Sequence, residues 1–143
     1  MNAEVVSAPS ATESGAEPAV VGFPLGLAGF ERCRSFVLIA ADAAHFQWLT
    51  CVDGPPATFL VIDPRRVMPG YHAALGRTEV ECLGPVTDSR LLWLAIVLVE
   101  ANGSIAVNLR APIAINPETM TGVQVMRPES EYSLRHVIAP APS

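Results

Sequence analysis

The sequence contains no lysine, and its nine cationic side chains are all arginines. Apart from the adjacent Arg65 and Arg66, these arginines are scattered, and the formal net charge is −5. A protein that binds the phosphate backbone of a nucleic acid needs a patch of cationic side chains. The charge pattern therefore argues against direct nucleic-acid binding. It is compatible with a basic protein as partner, since opposite potentials speed encounter.

Cysteine is scarce, and long apolar runs are missing. Cys33, Cys51 and Cys82 are odd in number and show no Cys-x-x-Cys spacing, which is typical of reduced thiols rather than a disulfide framework. The longest apolar run, residues 91–99, has nine residues, well short of the roughly 20 needed to span a bilayer. The first residues also lack the basic and apolar regions of a secretory signal. We therefore expect a soluble, cytoplasmic protein without membrane contact.

The two ends of the chain have little apolar periodicity. Residues 1–18 are rich in Ala, Ser, Pro, Glu and Gly, and residues 139–143 are similar. Such composition is typical of disordered tails, because it offers too little apolar surface to offset the entropy of ordering. We therefore predict one folded domain over residues 19–138, between two disordered tails.

Within this domain, short runs of β-branched and aromatic residues alternate with turn residues. The runs SFVLIA, FQWLTCV and TFLVID cover residues 35–40, 46–52 and 58–63, and Asp-Gly-Pro-Pro separates the last two. This composition predicts strands joined by turns. The run LLWLAIVLV at 91–99 is also interpreted as a strand, covered on both faces, because its valines and isoleucine favour the extended conformation.

Two local signals predict how the later strands connect. Asn102-Gly103 lies between two apolar runs and predicts a hairpin with a type I′ turn, in which both central residues need φ > 0. On the returning strand, alternation places Ile105, Val107 and Leu109 on one face. Pro112 separates this strand from a further one, PIAIN. Because proline lacks a donor for the sheet, it should begin that strand or lie in a bulge.

A capping-box pattern, Thr-Glu-Val-Glu at residues 78–81, predicts one or two helical turns that begin at Thr78. Gly84 and Pro85 should end them. With seven or eight predicted strands and almost no helix, the pattern predicts an all-β fold. We expect a small antiparallel β-barrel-like domain with one or two short helical turns.

No pattern points to a metal, a phosphate group or a cofactor. His45, His72 and His136 are far apart, and none pairs with Cys, Asp or Glu at zinc-type spacing. Glycine-rich phosphate-binding motifs are absent. We therefore predict no catalytic, metal-binding or cofactor-binding residue. The alternative is a small β-barrel enzyme or ligand-binding domain that uses Cys51 or one of the histidines.

The segment SEYSLRH, residues 130–136, gathers residue types found in catalytic triads. We interpret it as a strand, in which successive side chains point to opposite faces. Ser130, Tyr132 and His136 then share one face, while Glu131 and Arg135 share the other. A serine, a glutamate and a histidine in this arrangement cannot converge as a triad.

Seven stretches in order along the chain carry a family resemblance. They are FPLGLAGFE (23–31), FVLI (36–39), FQWLTCVDGPPATFLVIDP (46–64), LWLAIVLV (92–99), NLRAPIAIN (108–116), GVQVM (122–126) and SEYSLRH (130–136). As an ordered set they resemble the FliW family of bacterial flagellar assembly factors, over nearly all of residues 22–136. The apolar residues of the first stretch are predicted to be core: Phe23, Leu25, Leu27 and Phe30.

The resemblance implies a protein that acts by binding rather than by catalysis. FliW proteins bind CsrA, a translational repressor of flagellin synthesis, and also bind newly made flagellin. While flagellin occupies FliW, CsrA is free to repress; once flagellin is exported, FliW sequesters CsrA and synthesis resumes. Such switching requires comparable effective affinities for the two partners. The implied partners are therefore CsrA and flagellin, and we expect a monomer when the chain is free.

The sequence departs from the family pattern in three places. It has the N-terminal extension, it places Arg65 and Arg66 after Asp-Pro where the family tends to be apolar, and residues 68–84 are less acidic than usual. These departures lie outside the matching core stretches. We expect them to leave the fold intact and to bear on partner affinity.

Five residues are candidates for partner contacts. Tyr132 and Arg135 are chosen because Tyr and Arg are enriched among residues that dominate binding energy. Asn108 and Asn116 bracket the segment that contains Pro112, with turn capping and bonds to the local backbone as the alternative role. Asp53 is the fifth candidate, and it is also suited to organise the turn in which it lies.

Overall fold

The computed structural model describes residues 19–126 and 130–140, which fold into eight β-strands and one α-helix. The strands are β1 (Val20–Gly22), β2 (Ser35–Ala40), β3 (Phe46–Cys51), β4 (Thr58–Ile62), β5 (Leu92–Val99), β6 (Ile105–Asn116), β7 (Thr121–Gln124) and β8 (His136–Ala139). The helix α1 (Arg77–Leu83) lies between β4 and β5, with 3-10 turns at Pro64–Arg66 and Asp88–Arg90. The predicted tail 1–18 and residues 141–143 lie outside the described residues. Ala139, the first residue of the predicted C-terminal tail, belongs to β8.

Seven of these strands close into a barrel. The order around the ring is β5-β4-β3-β2-β1-β7-β6, and β6 pairs with β5 to complete it. All neighbours are antiparallel except β1 and β7, which pair in parallel at Gly22 and Thr121. β8 adds to β6 outside this ring. The predicted all-β, mainly antiparallel barrel is therefore confirmed.

The strand β6 has twelve residues and combines two predicted strands. Its first residues pair with β8 and its last four pair with β7. Opposite β5 the register is broken, because Asn108 pairs with Ile96 and Ile113 already pairs with Leu94. Pro112 lies in this irregular stretch, which confirms the predicted bulge. The prediction of two separate strands was wrong, since the chain bends there without leaving the sheet.

The predicted hairpin joins β5 to β6, but its turn is of another type. Gly103 has φ 91°, whereas Asn102 does not have a positive φ. The Gly103 N–H donates to the Glu100 carbonyl, and the Glu100 N–H donates to the Ser104 carbonyl, both at 2.9 Å. This is a three-residue loop, a type I turn completed by a left-handed glycine. The type I′ prediction was wrong because only one of the two residues adopts φ > 0.

The helix α1 begins two residues earlier than predicted. Gly76, not Thr78, is the N-cap residue, and its N–H donates to the Glu79 carboxylate at 2.6 Å. Glu79 thus fills the position three residues after the cap that was assigned to Glu81. Gly84 follows the helix with φ 80°, so the predicted end is confirmed.

The barrel interior holds the first apolar cluster. It includes Phe23, Phe36, Leu49, Leu94 and Ile113, all nearly inaccessible to water. The core prediction for the first matching stretch is only half correct. Phe23 and Leu27 are buried, but Leu25 is 51% exposed, and Phe30 is 41% exposed because, among the described residues, its ring packs on only one neighbouring ring, that of Phe59.

Two further apolar clusters lie on the outer surface of the barrel wall. One joins Leu83 of α1 to Trp93, Ala114 and Val123, so α1 covers β5, β6 and β7. The other joins Tyr71 to residues of β4, β5 and β6, among them Ile62, Val97, Val107 and Leu109. Both faces of β6 and of the first six residues of β5 are therefore covered, but Leu98 and Val99 are 38% and 48% exposed, so the prediction for residues 91–99 is confirmed only for its first part. In the described ranges, no helix is long and apolar enough to cross a membrane.

Candidate functional site

The irregular stretch of β6 forms the centre of a polar region on the barrel wall. The side-chain oxygen of Asn108 accepts hydrogen bonds from the Arg110 and Ala111 N–H groups, each at 3.1 Å, and so shapes the bulge. The Arg110 Nε donates to the Tyr132 carbonyl at 2.9 Å. The bulge therefore holds the segment that precedes β8 against the barrel.

That preceding segment, residues 130–135, is not a strand. β8 begins only at His136. The Ser130 hydroxyl accepts a bond from the Tyr132 N–H at 3.1 Å, and the Ser133 hydroxyl accepts one from the Arg135 N–H at 2.9 Å. Such local bonds compete with the sheet for backbone N–H groups. The strand interpretation of 130–136 was therefore wrong, and with it the strict alternation of its side chains.

Tyr132 packs inwards on a second tyrosine. The ring centroids of Tyr71 and Tyr132 are 4.4 Å apart. The Tyr71 hydroxyl donates to the Leu109 carbonyl at 2.6 Å, and the Tyr132 hydroxyl accepts from the His72 N–H at 3.1 Å. Burial, with a smaller contribution from Tyr132, raises the pKa of Tyr71. The Tyr71 hydroxyl therefore stays neutral, and the two packed tyrosines join two loops to β6.

Arg135 forms an ion pair across the end of the barrel. Its Nε and Nη2 donate to the two carboxylate oxygens of Glu100, with Nη2 at 2.6 Å. Ser104, which is 3% exposed, also donates to Glu100. Hydrogen bonding by Arg135, and then by Ser104, lowers the pKa of Glu100 to about 2. The pair connects the β5–β6 hairpin to the start of β8.

The other two candidates lie elsewhere. Asn116 is buried beneath α1, where its amide donates to the Leu83 carbonyl at 2.8 Å and its oxygen accepts from the Glu118 N–H at 3.0 Å. Asp53 lies in the β3–β4 turn, where Oδ1 accepts from the Arg34 and Ser35 N–H groups. Burial alone would raise the pKa of Asp53, but hydrogen bonds from Ser35 and Arg34 lower it. The structure thus brings Asn108, Tyr132 and Arg135 to one region and leaves Asn116 and Asp53 outside it.

Two cavities adjoin this region. The larger has a volume of about 480 Å³, and we call it the Arg110 cavity. The residues that matter for its chemistry are Tyr71, His72, Arg110, Pro112, Glu131 and Tyr132. The second, of about 290 Å³, reaches Arg65 and Trp93 and shares Tyr71, His72 and Ala73 with the first. Tyr71 and Arg110 were not singled out from the sequence, and His72 was named only as one of the three histidines of the enzymatic alternative. An arginine two residues before a bulge-forming proline is the one local signal that could have drawn notice.

The residues of the enzymatic alternative do not form a site in the described ranges. Cys51 ends β3, and its thiol is 3.6 Å from the Asp53 carboxylate. No hydrogen bond there joins Cys51 to a histidine. His45 lies in the β2–β3 turn with φ 73°, His72 borders both cavities, and His136 begins β8. Within the described residues, no three His, Cys, Asp or Glu side chains are grouped to hold a metal ion.

The fold and this region define the class of protein. It is a closed seven-stranded β-barrel with an additional strand, and polar groups hold its covering loops in place. The sequence model of the family described as FliW protein matches residues 8–138. The match begins within the predicted N-terminal tail. The chain therefore belongs to the FliW family.

Individual relatives agree with this assignment. The flagellar assembly factor FliW of Geotalea uraniireducens is 35% identical over 121 residues, which are 84% of this chain and 74% of that protein. That of Caldanaerobacter subterraneus subsp. tengcongensis is 33% identical over 126 residues, 85% of this chain and 83% of that protein. A crystal structure of the flagellar assembly factor FliW matches with a TM-score of 0.77 and 29% identity, covering 85% of this chain and 86% of that one.

Proposed function

We propose that this chain is a flagellar assembly factor that acts by binding proteins in the cytoplasm. In this proposal it sequesters the translational repressor CsrA, which relieves repression of flagellin synthesis, and it binds flagellin as a chaperone. The supporting observation is the FliW match over residues 8–138 together with the shared barrel fold. The chain itself is not an enzyme in this proposal, and a free copy is a monomer.

Partner switching follows if flagellin and CsrA exclude each other. Flagellin then keeps the chain occupied until it is exported, after which the chain takes up CsrA. A ligand shifts such an equilibrium only by its differential affinity. The acidic net charge of −5 supports an encounter with a basic RNA-binding protein, because complementary potentials raise the association rate.

The test uses the purified chain with CsrA and flagellin from the same organism. Gel filtration is expected to show a complex with each, and added flagellin is expected to reduce the amount of CsrA that co-elutes. Binding to neither protein would refute the proposal. Binding to both without competition would refute the switching mechanism and leave the two binding activities.

A matched pair of variants tests the predicted partner role of Arg135. Arg135→Gln removes the guanidinium, whereas Glu100→Gln removes its carboxylate partner and leaves the guanidinium in place. If Arg135 contacts a partner, only Arg135→Gln weakens the complex. If Arg135 serves only the ion pair, the two variants weaken the complex equally or not at all.

A further inference from the structure

Arg110 is a half-buried cation whose guanidinium is only partly used. Its Nε donates to the Tyr132 carbonyl, and within the described ranges it forms no salt bridge. A guanidinium has five N–H donors in a planar fork, so the single bond from Nε leaves four of them for other acceptors. Its remaining donors are available to the Arg110 cavity, which it lines.

The walls of this cavity suit a peptide segment. Tyr71, Tyr132 and Pro112 supply apolar surface, and His72 supplies a polar edge. The second cavity adjoins the first, because Tyr71, His72 and Ala73 line both. The volume of about 480 Å³ lies within the range of pockets that enclose a group larger than a single ion.

The charged side chains that line the cavity indicate which kind of ligand it would bind. Among the described residues that line the cavity, Glu131 is the one carboxylate, and it is exposed to solvent, where water and salt screen its charge. Arg110 is less exposed and is therefore screened less. A carboxylate that entered the cavity would meet the guanidinium as a charge-assisted, two-point hydrogen-bond partner.

We propose that the Arg110 cavity binds an aspartate or glutamate side chain presented by an extended segment of a partner protein. The partner's flanking residues lie along the two cavities, with apolar side chains against Tyr71 and Tyr132. This inference rests on one part of the proposed function, namely that the chain acts by binding a protein. It assigns to an acidic chain a local cationic site that recognises an acidic residue.

The experiment is an NMR titration of the ¹⁵N-labelled full chain with two blocked heptapeptides. Each has leucine on both sides of its central residue, which is glutamate in one peptide and glutamine in the other. We expect the glutamate peptide to bind about tenfold more tightly, since a charge-assisted bond is worth at least that factor. The amide signals of His72, Arg110 and Tyr132 should shift. Equal affinity for the two peptides, or binding of neither, would overturn the proposal.

Variants separate recognition from a structural role. Arg110→Gln should abolish the preference for glutamate, while Arg32→Gln, an exposed arginine that does not line the cavity, should retain it. Arg110→Lys should retain part of the preference, because it keeps the charge but loses the planar fork. An unchanged preference in Arg110→Gln would overturn the proposal. The ¹⁵N spectrum of each free variant shows that it is folded.

Succinate provides the last arm of the test. If succinate shifts the same signals and binds as tightly as the glutamate peptide, the occupant is a small carboxylate and the proposed protein segment is wrong. Weaker binding of succinate supports the segment. Because these measurements need neither CsrA nor flagellin, a failure here is distinct from a failure of the proposed function.

Discussion

Replacing Asn116 by alanine should destabilise the fold, although this residue was a candidate for partner contact. Asn116 is 1% exposed, because it points outwards from β6 into the surface that α1 covers. Its amide donates to the Leu83 carbonyl at the end of α1, and its oxygen accepts from the Glu118 N–H. The side chain therefore joins the helix to the end of β6.

The size of the effect follows from these two bonds. The buried Leu83 carbonyl would keep only the 3.5 Å contact from the Thr119 hydroxyl, and a buried acceptor left without a good partner costs about 1–3 kcal/mol. The Glu118 N–H lies in an exposed turn where water can replace the bond, so its loss adds about 0.5–1.5 kcal/mol. The sum is about 3 kcal/mol, a large share of a total stability of roughly 5–15 kcal/mol.

Urea unfolding followed by tryptophan fluorescence measures this change directly, because Trp93 packs in the same cluster as Leu83. The midpoint should fall by roughly 1–3 M for a slope of about 1–3 kcal/mol/M. Asn116→Asp provides the matched variant, since it keeps the acceptor for Glu118 but places a carboxylate oxygen against the Leu83 carbonyl. A loss below about 1 kcal/mol for Asn116→Ala, together with weaker partner binding, would refute the structural role.

Three further changes have defined outcomes. The stabilisation that Glu100 provides is complete above its ordinary pKa of 4.5 and is lost as pH falls towards about 2. The melting temperatures of the wild type and Arg135→Gln should therefore differ at pH 6 and converge near pH 2. A constant difference would contradict the ion-pair assignment. In urea unfolding, Gly26→Ala should destabilise the fold strongly, because the new Cβ would lie 2.6 Å from the Glu31 Cα. Gly29→Ala has open space around the new Cβ and should cost only about 1–2 kcal/mol for its positive φ. Equal losses for the two variants would count against the clash. Tyr71→Phe removes a buried donor to the Leu109 carbonyl and should cost about 1–3 kcal/mol in the same assay. Tyr132→Phe should cost less, because the hydroxyl that it removes accepts only from the N–H of the exposed His72. The reverse order would show that the roles of the two tyrosines are assigned wrongly.

The strands and the barrel could be predicted because their signals are local and repeated. β2, β3 and β4 follow runs of β-branched and aromatic residues, and Asn102-Gly103 lies between two apolar runs, so a hairpin was the simplest connection. The prediction of the turn type was wrong because Asn-Gly occurs both in two-residue loops and in three-residue loops. The prediction of two separate strands in place of β6 was wrong because a bulge accommodates Pro112 within one continuous strand.

The predicted contact residues failed to form one site for a different reason. Sequence order does not show that α1 covers the end of β6 or that Arg110 reaches the Tyr132 carbonyl, since both are contacts between distant segments. Polar residues that seem free in the sequence are used to hold such segments together. Asn116 and Asp53 are of this kind, because their oxygens accept backbone N–H bonds at turns.

The exposure of each candidate decides whether it can also meet a partner. Contact with Asn116 would require α1 to leave β6, whereas Tyr132 packs on Tyr71 and remains partly exposed at the Arg110 cavity. Arg135 is different, because its side chain is 52% exposed and that of Glu100 is 25% exposed. Exposed ion pairs are worth only about 0–1 kcal/mol, so a partner's carboxylate can replace Glu100 at little cost. Arg135 can therefore bind a partner without loss of the fold, and the comparison of Arg135→Gln with Glu100→Gln tests it.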